Sequence, residues 1–154
     1  NPPCENLWPP AFQKDRGRTP VIYFDTSALI KRFVEEKGSA LVQSMVQSGE
    51  AVATAKIAYA EVFAGLTRKV REGNLAEAQY DLACRQFETD WHAYIRVELN
   101  DDLLFLARDL IRKHGFRGFD AVHLASALVL SGAINEEVSF AAADRRLLRA
   151  IATV

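Results

Sequence analysis

Val21-Ile22-Tyr23-Phe24-Asp25 opens the ordered part of the chain: four apolar residues that follow Pro20 and stop at a carboxylate. A short run without alternation is how a strand covered on both faces reads. Residues 138–143 repeat the pattern with smaller side chains and stop at Asp144. Two further apolar runs, 50–57 and 93–99, are predicted strands. Helical spacing fills the intervals. One helix is predicted from 27 to about 36, with Leu29 and Phe33 inward, and a second over 39–48, where Gly49 stops it. Ala58–Arg71 carries the stripe Tyr59, Val62, Phe63, Leu66 and Val70. The helix over 75–91 is expected to turn Leu75, Ala78, Leu82 and Phe87 inward. Asn100 or Asp101 caps a helix to about 114, with Leu103, Leu106, Ala107, Leu110 and Ile111 inward. Residues 119–130 are apolar nearly all round and are expected to be buried, and 145–151 form a last short helix. Strands alternating with helices predict an α/β fold with a mostly parallel sheet covered on both faces.

The chain has 154 residues, 49% hydrophobic and 25% charged, which suits one globular domain. No stretch of about 20 residues lacks charge, so no transmembrane helix is predicted. Nineteen Lys and Arg oppose twenty Asp and Glu. That near balance excludes a strongly basic coat for nucleic acid and leaves room for a local basic patch. Cys4 and Cys84 form neither a disulfide framework nor a zinc motif, which points to a reducing, cytoplasmic setting. All five prolines fall in residues 1–20. That segment is expected to be an extended N-terminal arm, native or left from cloning, with Leu7, Trp8 and Phe12 available for docking. The folded domain is expected to span 21–154.

Four acidic residues stand apart from the solvated helix faces. Asp25 and Asp144 follow predicted strands, and ligands of open parallel sheets bind beyond the carboxyl ends of strands. Asp120 lies in the first turn of the most apolar helix, and Glu61 lies among Ala58, Ala60, Ala64 and Gly65. Each has an ordinary explanation: a helix cap for Asp25 and Asp144, a helix-dipole contact for Asp120, and a surface pair with Arg68 for Glu61. Taken together they point to one crevice. Two unit charges about 4 Å apart repel by about 4 kcal/mol at an effective dielectric near 20, so four converging carboxylates call for a cation. Oxygen ligands without His or Cys suit Mg²⁺ or Mn²⁺ rather than zinc, and such an ion leaves positions for water and phosphate.

Tyr23-Phe24-Asp25-Thr26-Ser27-Ala28-Leu29-Ile30-Lys31 resembles the opening of the PIN domain, and most of all of its toxin branch, VapC. Tyr59-Ala60-Glu61-Val62 resembles that family's second acidic motif. Arg117 to Ala125 (RGFDAVHLA) resembles its most recognisable one, and Ala143-Asp144-Arg145-Arg146-Leu147 its closing motif. The resemblance implies a three-layer α/β/α domain and a divalent-metal endoribonuclease using Mg²⁺ or Mn²⁺. It also implies a homodimer and a small cognate VapB-like antitoxin covering the active site. On the matching positions, Asp25, Glu61, Asp120 and Asp144 are the catalytic and metal-binding residues, and Ser27 orients a carboxylate or a water. Ala142 departs from the family's usual Thr or Ser, removing a hydroxyl beside the last acid.

Phosphate contacts are expected from Arg68, Arg145 and Arg146, with Lys31 and Arg32 read as solvated. His123 shares a face with Asp120 and is read as a core histidine bonding a backbone carbonyl in preference to a proton relay. A phosphatase with a covalent aspartyl intermediate is disfavoured because Ser27 stands where a second Asp is needed. A catalytically weak PIN-like module that binds RNA or a partner is the remaining alternative.

Overall fold

The structure, a computed structural model, describes residues 20–152. The expected arm, with Leu7, Trp8 and Phe12, and Cys4 lie outside the described residues. In chain order the elements are β1 (Val21–Phe24), α1 (Thr26–Ile30), α2 (Ser39–Gln47), β2 (Ala51–Ala55), α3 (Ala58–Arg71) and α4 (Glu77–Trp91). There follow β3 (Ile95–Val97), α5 (Asp101–His114), α6 (Gly118–Ile134), β4 (Val138–Ala141) and α7 (Arg145–Ile151).

The sheet order is β3-β2-β1-β4 and every pairing is parallel. β1 is interior, which is why all four of its residues are apolar and buried. Successive side chains of a strand point to opposite faces. Ile22 and Phe24 accordingly pack in a cluster with residues of α1 to α4, while Val21 and Tyr23 pack with Ala127 and Leu130 of α6. A third cluster joins α5, α6 and Leu147 of α7. The result is the expected three-layer α/β/α arrangement. Phe24 is in register with Ala141, and the Asp25 amide donates to the Ala141 carbonyl at 3.0 Å. The chain therefore leaves β1 and β4 at the same edge of the sheet. Among the described residues, no helix is long and apolar enough to cross a membrane.

Several sequence expectations are corrected. The helix after Asp25 ends at Ile30, not near 36. Its last amides bond i−3 carbonyls in tight turns, and Ser39 Oγ pins the connection by accepting from Glu36 N and donating to Val34 O. On α4 the inward face is Ala83, Phe87 and Trp91, so Ala78 and Leu82 face solvent. An aromatic cluster selects this face: Phe87 packs edge-on to Phe33 and Phe63, and Trp91 packs on Tyr59 and Tyr94. α6 is not buried all round. Ala121 to Ala127 and Leu130 are buried, whereas Phe119 is 58% exposed and Leu128 and Val129 are exposed too. Ile111 of α5 is exposed as well. The strands are shorter than their apolar runs because pairing stops where the register does.

Candidate active site

Four helix N-termini meet at the carboxyl edge of the sheet, and each brings one acid. Asp25 is the N-cap of α1, where Oδ1 accepts from Ala28 N at 2.9 Å. Asp144 caps α7, accepting from Arg146 N at 2.8 Å. Glu61 and Asp120 lie in the first turns of α3 and α6. Asp is a preferred cap, and a helix N-terminus favours negative charge, so the ordinary reading holds for the three aspartates; Glu61 bonds Thr26 and His123 where a pair with Arg68 was expected. It does not compete with the functional one: all four acids line a single cavity of about 1030 Å³.

Side-chain hydrogen bonds further fix two of the carboxylates. Ser27 Oγ donates to Asp25 at 2.8 Å and accepts from Ala143 N at 3.2 Å. Thr26 Oγ1 donates to Glu61 Oε1 at 2.8 Å, a contact the sequence reading missed although Thr26 directly follows Asp25. His123 Nε2 lies 2.8 Å from the same Glu61 oxygen, and His123 Nδ1 lies 2.7 Å from the Tyr23 hydroxyl. His123 is buried as expected, but its partners are side chains and not a backbone carbonyl.

The electrostatics couple the four acids. Burial raises Asp25 above the ordinary carboxylate range against the pull of Ala28 N and Ser27, and Asp120 adds repulsion. Asp120 is also raised, first by desolvation and then by Asp144, with Arg117 opposing. Glu61 is desolvated too, but the hydrogen bond with His123, helped by Thr26, outweighs this and holds it low. The cavity thus gathers four carboxylates, and carboxylate oxygens are the donors that a hard divalent cation takes. Among the described residues, however, no three His, Cys, Asp or Glu side chains stand in metal-holding geometry. The acids share one crevice, as expected, but it is a wide cavity and not a closed cage.

The basic wall also differs from expectation. Arg68 lines the cavity, joined by Arg108 and Arg117. Arg145 and Arg146 do not line it; they lie exposed on the first turn of α7. The sequence carries no signal for Arg108, whereas Arg117 stands three residues before Asp120 in the motif that supplies that acid. Lys31 is engaged with Glu36 and Lys37 O, and Arg32 lies 3.4 Å from Asp90, so neither reaches the cavity.

A parallel α/β/α sandwich with acids gathered at the carboxyl edge defines a class, and comparison with known proteins identifies it. The PIN domain pattern matches residues 22–152. Ribonucleases VapC45 and VapC49 of Mycobacterium tuberculosis are each 38% identical over 128 residues, covering 83% of this chain and 87% of the relative. A toxin–antitoxin complex from Klebsiella pneumoniae aligns with a TM-score of 0.54 at 17% identity, over 76% of this chain and 82% of that one. VapBC2 from Rickettsia felis, bound to a promoter DNA fragment, aligns with a TM-score of 0.51 at 8% identity, over 79% and 99%. The two structures speak to the fold. The chain belongs to the PIN-domain family, on its VapC branch.

Proposed function

We propose that the chain is a divalent-metal-dependent endoribonuclease that hydrolyses RNA phosphodiester bonds, the toxin of a toxin–antitoxin pair. The observation that carries this reading is the cavity, where Asp25, Glu61, Asp120 and Asp144 arrive from four separate elements with Arg68, Arg108 and Arg117 beside them. The mycobacterial relatives are named ribonucleases, which supports the activity.

Asp25, Glu61, Asp120 and Asp144 are the residues that would hold Mg²⁺ or Mn²⁺. A divalent ion held there would supply water activation and charge stabilisation of the leaving oxygen. The chain's own residues do the positioning. Ser27 and the α1 N-terminus hold Asp25; Thr26 and His123 hold Glu61. Arg68, Arg108 and Arg117 bind backbone phosphates by charge, compensating within one cavity for a chain with net charge −1.

A VapB-like antitoxin is the proposed partner, in keeping with the toxin–antitoxin assemblies among the structural neighbours. A homodimer is part of the same reading. So is a cytoplasmic location, consistent with Cys84 as a free thiol. We place the nuclease domain at 21–154 and treat 1–20 as a separate arm.

Incubation of the purified chain with total cellular RNA tests the proposal. Discrete fragments are expected with Mg²⁺ or Mn²⁺ and none with EDTA. Intact RNA under all conditions contradicts the activity, and cleavage persisting in EDTA contradicts the metal dependence.

A further inference from the structure

We infer that Tyr23 and His123 form a buried positioning relay that orients the Glu61 carboxylate toward the metal. The inference rests on the proposed function and adds two residues to it, neither of which carries a negative charge.

The relay spans the sheet and two helices. Tyr23 is on β1, fully buried, and stacks on Phe140 of β4. His123 is on α6 and 3% exposed. Glu61 is on α3. The contacts run Tyr23 Oη to His123 Nδ1 at 2.7 Å, then His123 Nε2 to Glu61 Oε1 at 2.8 Å. The ionised Glu61 carboxylate only accepts, so in the neutral ring Nε2 is the N–H and Nδ1 accepts from the Tyr23 hydroxyl. The ring proton then sits on Nε2 and is donated to Glu61. The tautomer is set by the partner on the far nitrogen, as it is for a histidine whose second nitrogen is held by a hydrogen bond.

Thr26 Oγ1 donates to the same Oε1, so two donors fall on one oxygen of Glu61. Fixing one oxygen of a planar carboxylate fixes the direction of the other. The helix alone does not do this, because a Glu side chain has three rotatable bonds and Glu61 is only half-buried. His123 is therefore a positioning residue acting through Glu61, and Tyr23 acts through His123.

The test measures Mn²⁺ binding to the metal-free full chain by calorimetry, with cleavage of a single-stranded RNA oligonucleotide as a second readout. Wild type and Asp120→Asn come first. If wild type binds Mn²⁺ and cleaves, and Asp120→Asn loses both, the functional reading stands and the remaining variants bear on the relay alone. Wild type that binds no Mn²⁺ overturns the reading and the relay with it. His123→Leu is expected to weaken Mn²⁺ binding about 10- to 100-fold. Its kcat should fall while the KM for RNA holds, and His123→Gln, which restores an N–H donor, should recover part of the loss. Tyr23→Phe removes a single hydroxyl and keeps the fold testable should His123→Leu unfold. It is expected to weaken Mn²⁺ binding several-fold, with no added effect in the His123→Gln background. Mn²⁺ affinity equal to wild type in folded Tyr23→Phe, or in folded His123→Leu, overturns the relay.

Discussion

Ser27 Oγ stands 2.8 Å from Asp25 Oδ1 and 3.2 Å from the amide of Ala143, so one hydroxyl ties the end of β1 to the loop that carries Asp144. Removing it frees the Asp25 carboxylate and loosens the loop together. Ser27→Ala is expected to lower metal affinity or cleavage about tenfold, the low end for a residue behind a metal ligand. The stability cost should be small, about 0.5–1.5 kcal/mol, because Ser27 itself is exposed. Denaturant unfolding beside RNA cleavage checks both. A stability loss with full activity contradicts the assigned role.

Asp120 sits above the ordinary carboxylate range because burial and then Asp144 disfavour its charge. A carboxyl whose pKa is higher folded than unfolded loses stability as pH rises through that interval. The ionised form at neutral pH therefore works against the fold when no metal is present. Asp120→Asn should raise the thermal midpoint at pH 7 in EDTA, and the gain should shrink as pH falls toward the unfolded carboxyl value. A lower midpoint at pH 7 contradicts this.

At Gly65, α3 packs against α1: a Cβ placed there would meet Ile30 Cδ1 at 2.5 Å. The small residue serves helix packing, not only access to the cavity. Gly65→Ala gains about 1 kcal/mol of helix propensity but forces a buried side chain aside. A net loss of at most about 2 kcal/mol is expected, because the atom met is the free end of the Ile30 side chain. Adding Ile30→Val, which deletes Cδ1, should make the double variant more stable than Gly65→Ala alone. Chemical denaturation of the three variants measures it.

Arg68, Arg108 and Arg117 line the cavity, whereas Arg145 and Arg146 do not. Alanine at Arg68 should weaken RNA binding for every sequence and reduce the slope of log K against log salt by about 0.7. Arg145→Ala and Arg146→Ala should leave that slope nearly unchanged. Binding of RNA to the Asp120→Asn background over a salt series distinguishes them. A larger change from the α7 pair would relocate the RNA path.

The sandwich was legible from Val21 to Phe24 because only an interior strand of a covered sheet has no polar side chain to spare. The Asn100 cap was legible because its contact, Leu103 N at 2.9 Å, is three residues away. Contacts set by tertiary packing were not. Tyr23 and His123 are 100 residues apart, and nothing in either neighbourhood announces the other. On α4, Leu82 and Ala83 are adjacent and both apolar, so periodicity left the face undecided by one residue; the aromatic cluster around Phe87 decided it. Arg145 and Arg146 adjoin an acid that lines the cavity, yet the first turn of α7 leaves both outside it. Adjacency in sequence is a poor guide to facing direction where a helix begins.

The central claim is that carboxylates brought from four elements act as one metal-dependent site on RNA. Its most direct test is the cleavage rate of a single-stranded RNA oligonucleotide by wild type, Asp25→Asn and Asp120→Asn at saturating Mn²⁺, with folding confirmed by circular dichroism. The account predicts wild-type cleavage that EDTA abolishes and a loss of about 10²-fold or more in each folded variant. Cleavage at the wild-type rate by either variant would contradict it.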